Sequence, residues 1–170
     1  MSSRAAWRLE TLGFTRVYRY EPGKADWLAN GLPVEGKRAH EPRAGDLARR
    51  DVPTCRLGET VGIARDRVRA AGWDVCLVVT DDRVVLGRLR QDALAAEAAA
   101  LVDDVMEPGP GTIRPDERLV SLVPRLQERR VGATIVTVPS GQLVGVLFRA
   151  DAERRLAELP SREGSPDQAP

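Results

Sequence analysis

Histidine, cysteine and aromatic residues are scarce in this chain of 170 residues, which has one His, two Cys and 4% aromatic residues. His40 and the widely separated Cys55 and Cys76 give no metal-ligand spacing, so we expect no metal site. Both cysteines are expected to be small buried hydrophobic residues. The sequence also lacks a Ser-His-Asp set, a phosphate-cradling glycine loop and paired carboxylates. These absences favour a protein that is not an enzyme.

Long apolar runs and an excess of one charge are also missing. No run approaches the ~20 residues needed to span a bilayer, and the first residues lack the charged-then-apolar order of a secretion signal. The formal net charge is +1 with both signs mixed along the chain, so there is no basic stripe of the kind that binds nucleic acid. We therefore expect a cytoplasmic protein that has neither a membrane nor nucleic acid as a partner.

The second half of the chain repeats itself at a shift of 58 residues, without a gap. The shift superposes identical residues: Thr54 and Thr112, Glu59 and Glu117, Arg67 and Arg125, Val78 and Val136, Gly87 and Gly145. A repeat of this length with helical and strand patterns indicates two copies of one small α/β unit, neither expected to bury its apolar face alone. The cleft between the copies is therefore the expected functional site.

Each copy is predicted to fold in the order β-α-β-β-α. In the second copy, Asp116 is expected to cap a helix with an apolar stripe, and Pro124 is expected to kink that helix. Two β-rich runs joined by a turn follow at 134–138 and 143–148, before a charged helix from Asp151. The first copy shows the same order, with strands at 75–79 and 84–89 and a last helix from Asp92.

Residues 46–157 resemble a tandem pair of cystathionine-β-synthase (CBS) domains, also called a Bateman module. The segments that carry the resemblance are DVMEP at 104–108, TIRPD at 112–116 and LVGVLFRAD at 143–151. The resemblance implies a mixed α/β fold in which repeats at 46–103 and 104–157 pack as a pseudo-twofold pair. It also implies a homodimer formed through the repeats. AMP, ADP, ATP or S-adenosylmethionine is the implied regulatory ligand, bound in clefts between the copies.

The resemblance implies particular ligand-binding residues. Asp151 matches the signature carboxylate that binds ribose, but Phe148 replaces the hydroxyl residue of that signature. In the first copy, Arg90 takes the hydroxyl position and Asp92 comes one residue early, so both signatures are degenerate. Contacts to the base and the phosphates are implied at these positions: Thr112, Ile113, Ala133 and Thr134, or Thr54 and Val75, with Arg149 or Arg90.

Each of these residues also has a purely structural interpretation. Asp151 and Asp92 are suitable N-caps for the helices that follow them, and Arg149 is an ordinary solvated charge at a strand end. Trp73 is suited either to stacking on an adenine ring or to packing at a helix-strand junction.

Residues 1–35 resemble the C-terminal part of a rhodanese domain, with a predicted helix, strand and helix. The marks are Gly13-Phe14 before the strand, Trp27 four residues after Gly23, and an exit at Gly31-Leu32-Pro33. The resemblance implies that the catalytic cysteine of a complete domain would lie upstream of Met1. Residues 36–45 are expected to form a linker and residues 158–170 a disordered tail.

These observations leave three functions open. The first is a non-enzymatic regulatory module that senses an adenine nucleotide or adenosyl ligand. The second is a structural or dimerisation module without a ligand, in which Phe148 fills the cleft. The third is a rhodanese-like sulfurtransferase that has lost its catalytic half. For the third function, Cys55 is a poor candidate for the catalytic cysteine. In a rhodanese domain that cysteine precedes the C-terminal segment, whereas Cys55 follows the rhodanese-like segment.

Overall fold

The structure is a computed structural model that describes residues 3–36 and 41–159. Three helices precede the repeats: α1 (Ser3–Thr11), α2 (Gly23–Ala29) and α3 (Ala44–Leu47). Helix α1 ends at Thr11, and Gly13 in the turn after it has a φ of +91°, which suits a residue without a Cβ. The strand predicted between α1 and α2 is not formed, because no strand of the described part of the chain pairs with residues 14–20.

The first repeat contains β1 (Thr54–Cys55), α4 (Val61–Ala71), β2 (Cys76–Val79), β3 (Val85–Leu89) and α5 (Gln91–Leu94). Strands β1 and β2 are parallel, while β2 and β3 form an antiparallel hairpin. Gly72 ends α4 in the left-handed conformation, with φ at 68°. The observed element order is the predicted one.

The second repeat contains β5 (Thr112–Ile113), α7 (Leu119–Glu128), β6 (Ala133–Thr137), β7 (Leu143–Phe148) and α8 (Arg149–Ala157). Its three strands pair as β5-β6-β7 with the same directions as in the first repeat. The predicted apolar stripe of α7 is buried, and this helix runs through Pro124. The chain is thus a mixed α/β protein built from two similar units, each with three strands in one sheet and two helices.

The three predicted aspartate caps are not observed. Asp116 lies in the turn before α7, whose N-cap is Arg118. Asp92 and Asp151 lie inside the first turns of α5 and α8, where an acidic side chain still interacts favourably with the helix dipole. The reason is that β7 runs directly into α8, so that its last strand residue, Phe148, occupies the N-cap position.

The segment that leads into each repeat packs on the other repeat. Helix α6 (Val102–Val105) and strand β4 (Glu107–Pro108) precede β5, the first strand of the second repeat's sheet, yet β4 pairs with β3 of the first repeat. The Val102 amide donates to the Glu59 carbonyl at 2.9 Å. Residues 44–49 do the converse, since Arg49 pairs with Val146 in β7. We call these two stretches, 44–49 and 102–108, the lead-in segments.

A glycine in each repeat makes room for the crossing lead-in segment. A Cβ on Gly145 would fall on the carbonyl oxygen of Arg49, and a Cβ on Gly87 would fall on the side chain of Met106. The two glycines are equivalent under the 58-residue shift. The repeated glycine therefore marks the place where each sheet accepts a strand from outside its own repeat.

Two buried clusters form the core. One joins the first repeat to β6 and β7 through side chains that include Ile135, Leu143 and Val146. The other joins α2 and α3 to the second repeat through Ala29 and Ala44. Part of the predicted linker, 41–45, is thus ordered against the second repeat, where the Ala44 amide donates to the Glu117 carbonyl at 2.8 Å.

The first part of the chain is held mainly by α2. Leu28 and Ala29 are buried, whereas no residue of α1 is buried and Phe14 is 59% exposed. Trp27 packs edge-on against Tyr20 and donates from Nε1 to the Pro33 carbonyl at 2.8 Å.

In residues 3–36 and 41–159, no helix has the length and apolar character needed to cross a membrane. His40 and all of the predicted tail beyond residue 159 lie outside the described residues.

Candidate functional site

A cleft between the two repeats contains most of the predicted ligand-binding residues. It consists of two adjoining cavities of about 440 and 300 Å³, which we call the inner and outer parts of the open cleft. The parts share five lining residues: Arg88, Arg90, Val131, Ala133 and Thr134. Because β3 of the first repeat faces the starts of β5 and β6 of the second, both copies contribute to this cleft.

Six of the ten predicted site residues line the open cleft: Thr112, Ile113, Ala133, Thr134, Arg90 and Val75. Val75 lies in the inner part, and Thr112 and Ile113 lie in the outer part. The strands expected to face a base and the arginine expected to face a phosphate are therefore on opposite walls of one cleft.

The other four predicted residues are placed elsewhere. Thr54 lines a cavity of about 850 Å³ formed within the first repeat alone. Asp151 makes an ion pair with Arg154 at 2.5 Å, and Arg149 pairs with Glu153 at 3.3 Å. Asp92 is exposed in the first turn of α5. None of these four is among the lining residues of the open cleft.

Two arginines on the first-repeat wall share one carboxylate. Arg88 donates from Nε and an Nη to the two carboxylate oxygens of Glu107, at 2.7 and 2.6 Å. Arg90 approaches the same carboxylate at 3.8 Å. The hydrogen bonds from Arg88, followed by the charges of both arginines, lower the pKa of Glu107. Two guanidinium groups therefore meet at the cleft with a single counter-charge.

Two further arginines lie on the opposite wall, Arg125 in α7 and Arg129 directly after it. Arg125 pairs with Glu117 at 2.5 Å, and the equivalent pair in the first repeat, Arg67 with Glu59, has the same distance. Arg129 has no ion pair within the described residues. The outer part of the cleft is thus lined by four arginines and by no acidic residue. In the inner part, the negative charge of Asp74 is balanced by the positive charge of Arg130.

On the other side of the pseudo-twofold axis, the inner part of the equivalent cleft is filled, whereas Thr54, Cys55 and Arg67, the equivalents of Thr112, Ile113 and Arg125, line the cavity of about 850 Å³. We call the filled part the closed cleft and define it by Arg49, Trp73 and Phe148. The Trp73 and Phe148 rings pack with centroids 5.5 Å apart, and the Arg49 guanidinium lies over them at 4.5 and 5.7 Å. A cation over an aromatic face at this range contributes about 0.5 to 2 kcal/mol. Trp73 therefore serves in packing, as one of its two interpretations predicted.

Asp51 holds the Arg49 side chain in the closed cleft. Arg49 donates to both carboxylate oxygens of Asp51, at 3.2 and 2.6 Å, which lowers the pKa of that carboxyl. Trp73 Nε1 is buried without a hydrogen bond in the described structure, although the indole is near enough to Asp51 to lower the same pKa further. The hydrogen bond from Arg49 to Asp51 raises the pKa of Arg49, and the negative charge of Asp151 raises it further.

The lining of the largest cavity is nearly balanced in charge. Arg56 pairs with Asp81 at 2.7 Å and Arg67 with Glu59 at 2.5 Å, which leaves the single positive charge of Arg83 for a ligand. Cys55 reaches this cavity but is 1% exposed, and Cys76 is fully buried beside it. The neighbouring Cys55 and burial raise the pKa of the Cys76 thiol. The prediction that both cysteines are small buried residues is confirmed. Among the described residues, there is no group of three or more His, Cys, Asp or Glu side chains that could hold a metal ion.

Sequence reasoning missed Arg88, Arg125 and Arg129 in the open cleft. The repeat contained a signal for Arg125, because Glu117 and Arg125 recur as Glu59 and Arg67 at the same spacing. Arg49 was also missed, since it lies in a lead-in segment and reaches the closed cleft only through the pairing with Val146.

Comparison with known proteins identifies the fold. Residues 102–158 match the family model of the CBS domain. A comparison with curated proteins gives no match. Among solved structures, the chain is similar to the CBS-pair protein CBSX2 from Arabidopsis thaliana, with 19% identity over 69% of this chain and 96% of that one and a TM-score of 0.60. The described fold is therefore that of a CBS pair, and its second repeat is identified by the family model.

Two other similar structures were determined with ligands. One is the cytosolic domain of the Mg²⁺ channel MgtE in complex with ATP, with 21% identity over 68% of this chain and a TM-score of 0.60; the chain spans 48% of that domain. Another is the CBS domain pair of protein MJ0100 in complex with 5′-methylthioadenosine and S-adenosyl-L-methionine, with 13% identity, 69% and 97% coverage and a TM-score of 0.58. At these identities the likeness concerns the fold.

Proposed function

We propose that this chain is a non-enzymatic regulatory CBS-pair module of the cytoplasm, which senses an adenine nucleotide or adenosyl ligand in the open cleft. One observation carries the proposal: the cleft joins Thr112, Ile113 and Thr134 of one repeat to Arg88 and Arg90 of the other. These are strand-start positions suited to a base and guanidinium groups suited to a phosphate. The CBS-pair fold and the ligands named for similar structures support it.

Binding would act by changing how the repeats pack on each other. A ligand shifts a conformational equilibrium only when it binds one state better than the other. Since the two walls of the open cleft belong to different repeats, a ligand that contacts both favours the arrangement in which they are close. In a homodimer formed through the repeats, this change would reach the partner chain.

A thermal-shift screen tests the proposal. The purified chain is heated with AMP, ADP, ATP, NAD or S-adenosylmethionine, and with GTP as the base-specificity control. A ligand at 100 times its Kd adds about 2.7 kcal/mol to the free energy of unfolding, which raises Tm visibly. We expect an adenine-selective rise that is lost in Arg90→Ala and kept in Arg69→Ala, an exposed arginine of α4. If no ligand raises Tm, the sensing function is wrong.

The second candidate is a structural or dimerisation module without a ligand. The closed cleft favours it, because Phe148 and Trp73 fill space that is open in the equivalent position. This candidate predicts a dimer whose Tm is not changed by any nucleotide in the screen.

The rhodanese-like interpretation of residues 1–35 stays a prediction. Helix α2 in this segment is anchored to the second repeat through Ala29, so its observed role is packing. For a sulfurtransferase, Cys55 would have to carry the persulfide. We expect no transfer of sulfur from thiosulfate to cyanide, and turnover that disappears in Cys55→Ser would overturn this expectation.

A further inference from the structure

The pseudo-twofold axis allows the two clefts to be compared position by position. Under the 58-residue shift, Arg90 of the open cleft corresponds to Phe148 of the closed one, and Val131 corresponds to Trp73. A charged or small residue is replaced by an aromatic ring in both cases. The closed cleft has thus exchanged ligand space for a packed ring pair.

The lead-in segments differ at the corresponding point as well. Glu107, which faces Arg88 and Arg90, corresponds to Arg49, which lies on the two rings. Each cleft therefore contains an internal partner supplied by the lead-in segment. In the closed cleft that partner is a cation stacked on aromatic rings and held by Asp51. In the open cleft it is a single half-exposed carboxylate, with 51% of its side chain accessible.

The charges of the open cleft select among adenine ligands. Its outer part presents four arginines, against which only Glu107 and Glu117 are paired. Two positive charges are left over at neutral pH. A nucleoside di- or triphosphate complements this excess, whereas the sulfonium of S-adenosylmethionine adds another cation to it. The phosphates must also compete with Glu107 for Arg88 and Arg90, which a highly charged chain does better than a single phosphate.

We propose that each chain binds one nucleoside polyphosphate, in the open cleft only, with the phosphate chain displacing Glu107 from Arg88 and Arg90. The inference rests on the proposed sensing function and specifies its ligand class and its stoichiometry. Glu107 lies in β4, the strand that leads from the first repeat to the second. Displacement of its side chain therefore acts on the connection between the repeats.

Isothermal titration calorimetry of the full chain tests the inference with four probes: ATP, AMP, S-adenosylmethionine and inorganic tripolyphosphate. We expect one ATP per chain, AMP binding at least about tenfold weaker and S-adenosylmethionine about a hundredfold weaker, since each like or unlike charge at short range is worth about a factor of ten. Arg129→Ala should weaken ATP about tenfold and AMP less. Arg69→Ala, which removes the same charge outside the cleft, should change neither.

A Glu107→Gln variant tests whether the phosphate chain displaces the Glu107 carboxylate or is only attracted by the arginines. It removes the competing carboxylate at constant size, so it should tighten ATP and tripolyphosphate several-fold. Unchanged or weaker binding would refute the displacement of Glu107.

The remaining outcomes distinguish the two proposals. Two ATP molecules per chain, or S-adenosylmethionine bound as tightly as ATP, would refute this inference and leave the sensing function intact. Tripolyphosphate bound once, with ATP no tighter, would refute adenine sensing and retain the polyphosphate cleft. If none of the four probes binds, both proposals are wrong.

Discussion

At the scale of single residues, the two clefts differ through a few side chains that the repeat places at equivalent positions. Arg90 follows Gly87 by three residues and Phe148 follows the equivalent Gly145 by three residues, so that Arg90 comes directly after β3 and Phe148 is the last residue of β7. Arg90 is exposed to the cleft, and Phe148 is covered by Trp73 and Arg49. One substitution in a duplicated position therefore changes a ligand-accepting wall into packed core.

Replacing Phe148 should reopen the closed cleft. We expect Phe148→Thr to raise the ATP stoichiometry measured by calorimetry from one toward two, because it removes the ring and restores the hydroxyl of the family signature. The second ATP should bind at least about tenfold more weakly, since Arg49 and Trp73 remain. Phe14→Thr is the control, because Phe14 is exposed outside the repeats. A folded Phe148→Thr variant that still binds one ATP would show that ring bulk is not what closes the cleft.

The sequence predicted most of the residues that line the open cleft. It did not predict that one of the two clefts is open and the other closed. Thr112, Ile113, Ala133 and Thr134 were predicted because the resemblance to CBS domains implies base contacts at the strand starts, and the local sequence pattern shows where those strands begin. The closure of the other cleft depends on Arg49 reaching Phe148 across about a hundred residues of chain. No local pattern reports a contact of that range, so Arg49 was not predicted.

At the scale of elements, the repeats were predicted in the correct order because their hydrophobic patterns are strong. The predicted strand after Gly13 was wrong, because an amphipathic run forms a strand only when a partner strand is available. The lead-in segments were also not predicted. Their short strands carry too few residues to show alternation, and their place in the other repeat's sheet is a tertiary contact.

The two crossing glycines should differ in their tolerance of a methyl group. At Gly145 the added Cβ would meet backbone, the Arg49 carbonyl, which cannot move without breaking the pairing with Val146. At Gly87 it would first meet the flexible end of Met106. We expect Gly145→Ala to lower the free energy of unfolding by about 1 to 3 kcal/mol and Gly87→Ala by less. Denaturant titration of both variants measures the difference, and equal losses would contradict this view of the crossing.

At the scale of the whole molecule, surface apolar side chains bear on assembly. Ile63 on α4 and Val120 on α7 are 46% and 58% exposed although both helices belong to the repeats. Exposed aliphatic residues on equivalent helices are suited to a symmetric contact between two chains. They support the predicted homodimer.

Light scattering coupled to size exclusion tests this assembly. We expect the wild-type chain to elute as a dimer, and the double variant Ile63→Glu/Val120→Glu as a monomer, because paired carboxylates would be buried at the contact. Leu12→Glu changes an equally exposed residue just after α1 and should leave the dimer intact. A wild-type monomer at every concentration would rule out the predicted homodimer.

The exchange of lead-in segments also determines how the chain must fold. Arg49 pairs with Val146, so the sheet of the second repeat is completed by a residue that precedes β1 of the first repeat. Contacts this distant in sequence close late and slow the search for the native topology. Neither repeat reaches its final sheet before the other has formed, which predicts a single cooperative transition across residues 44–157. A nick in the chain at the repeat boundary should leave two fragments that refold together and not apart.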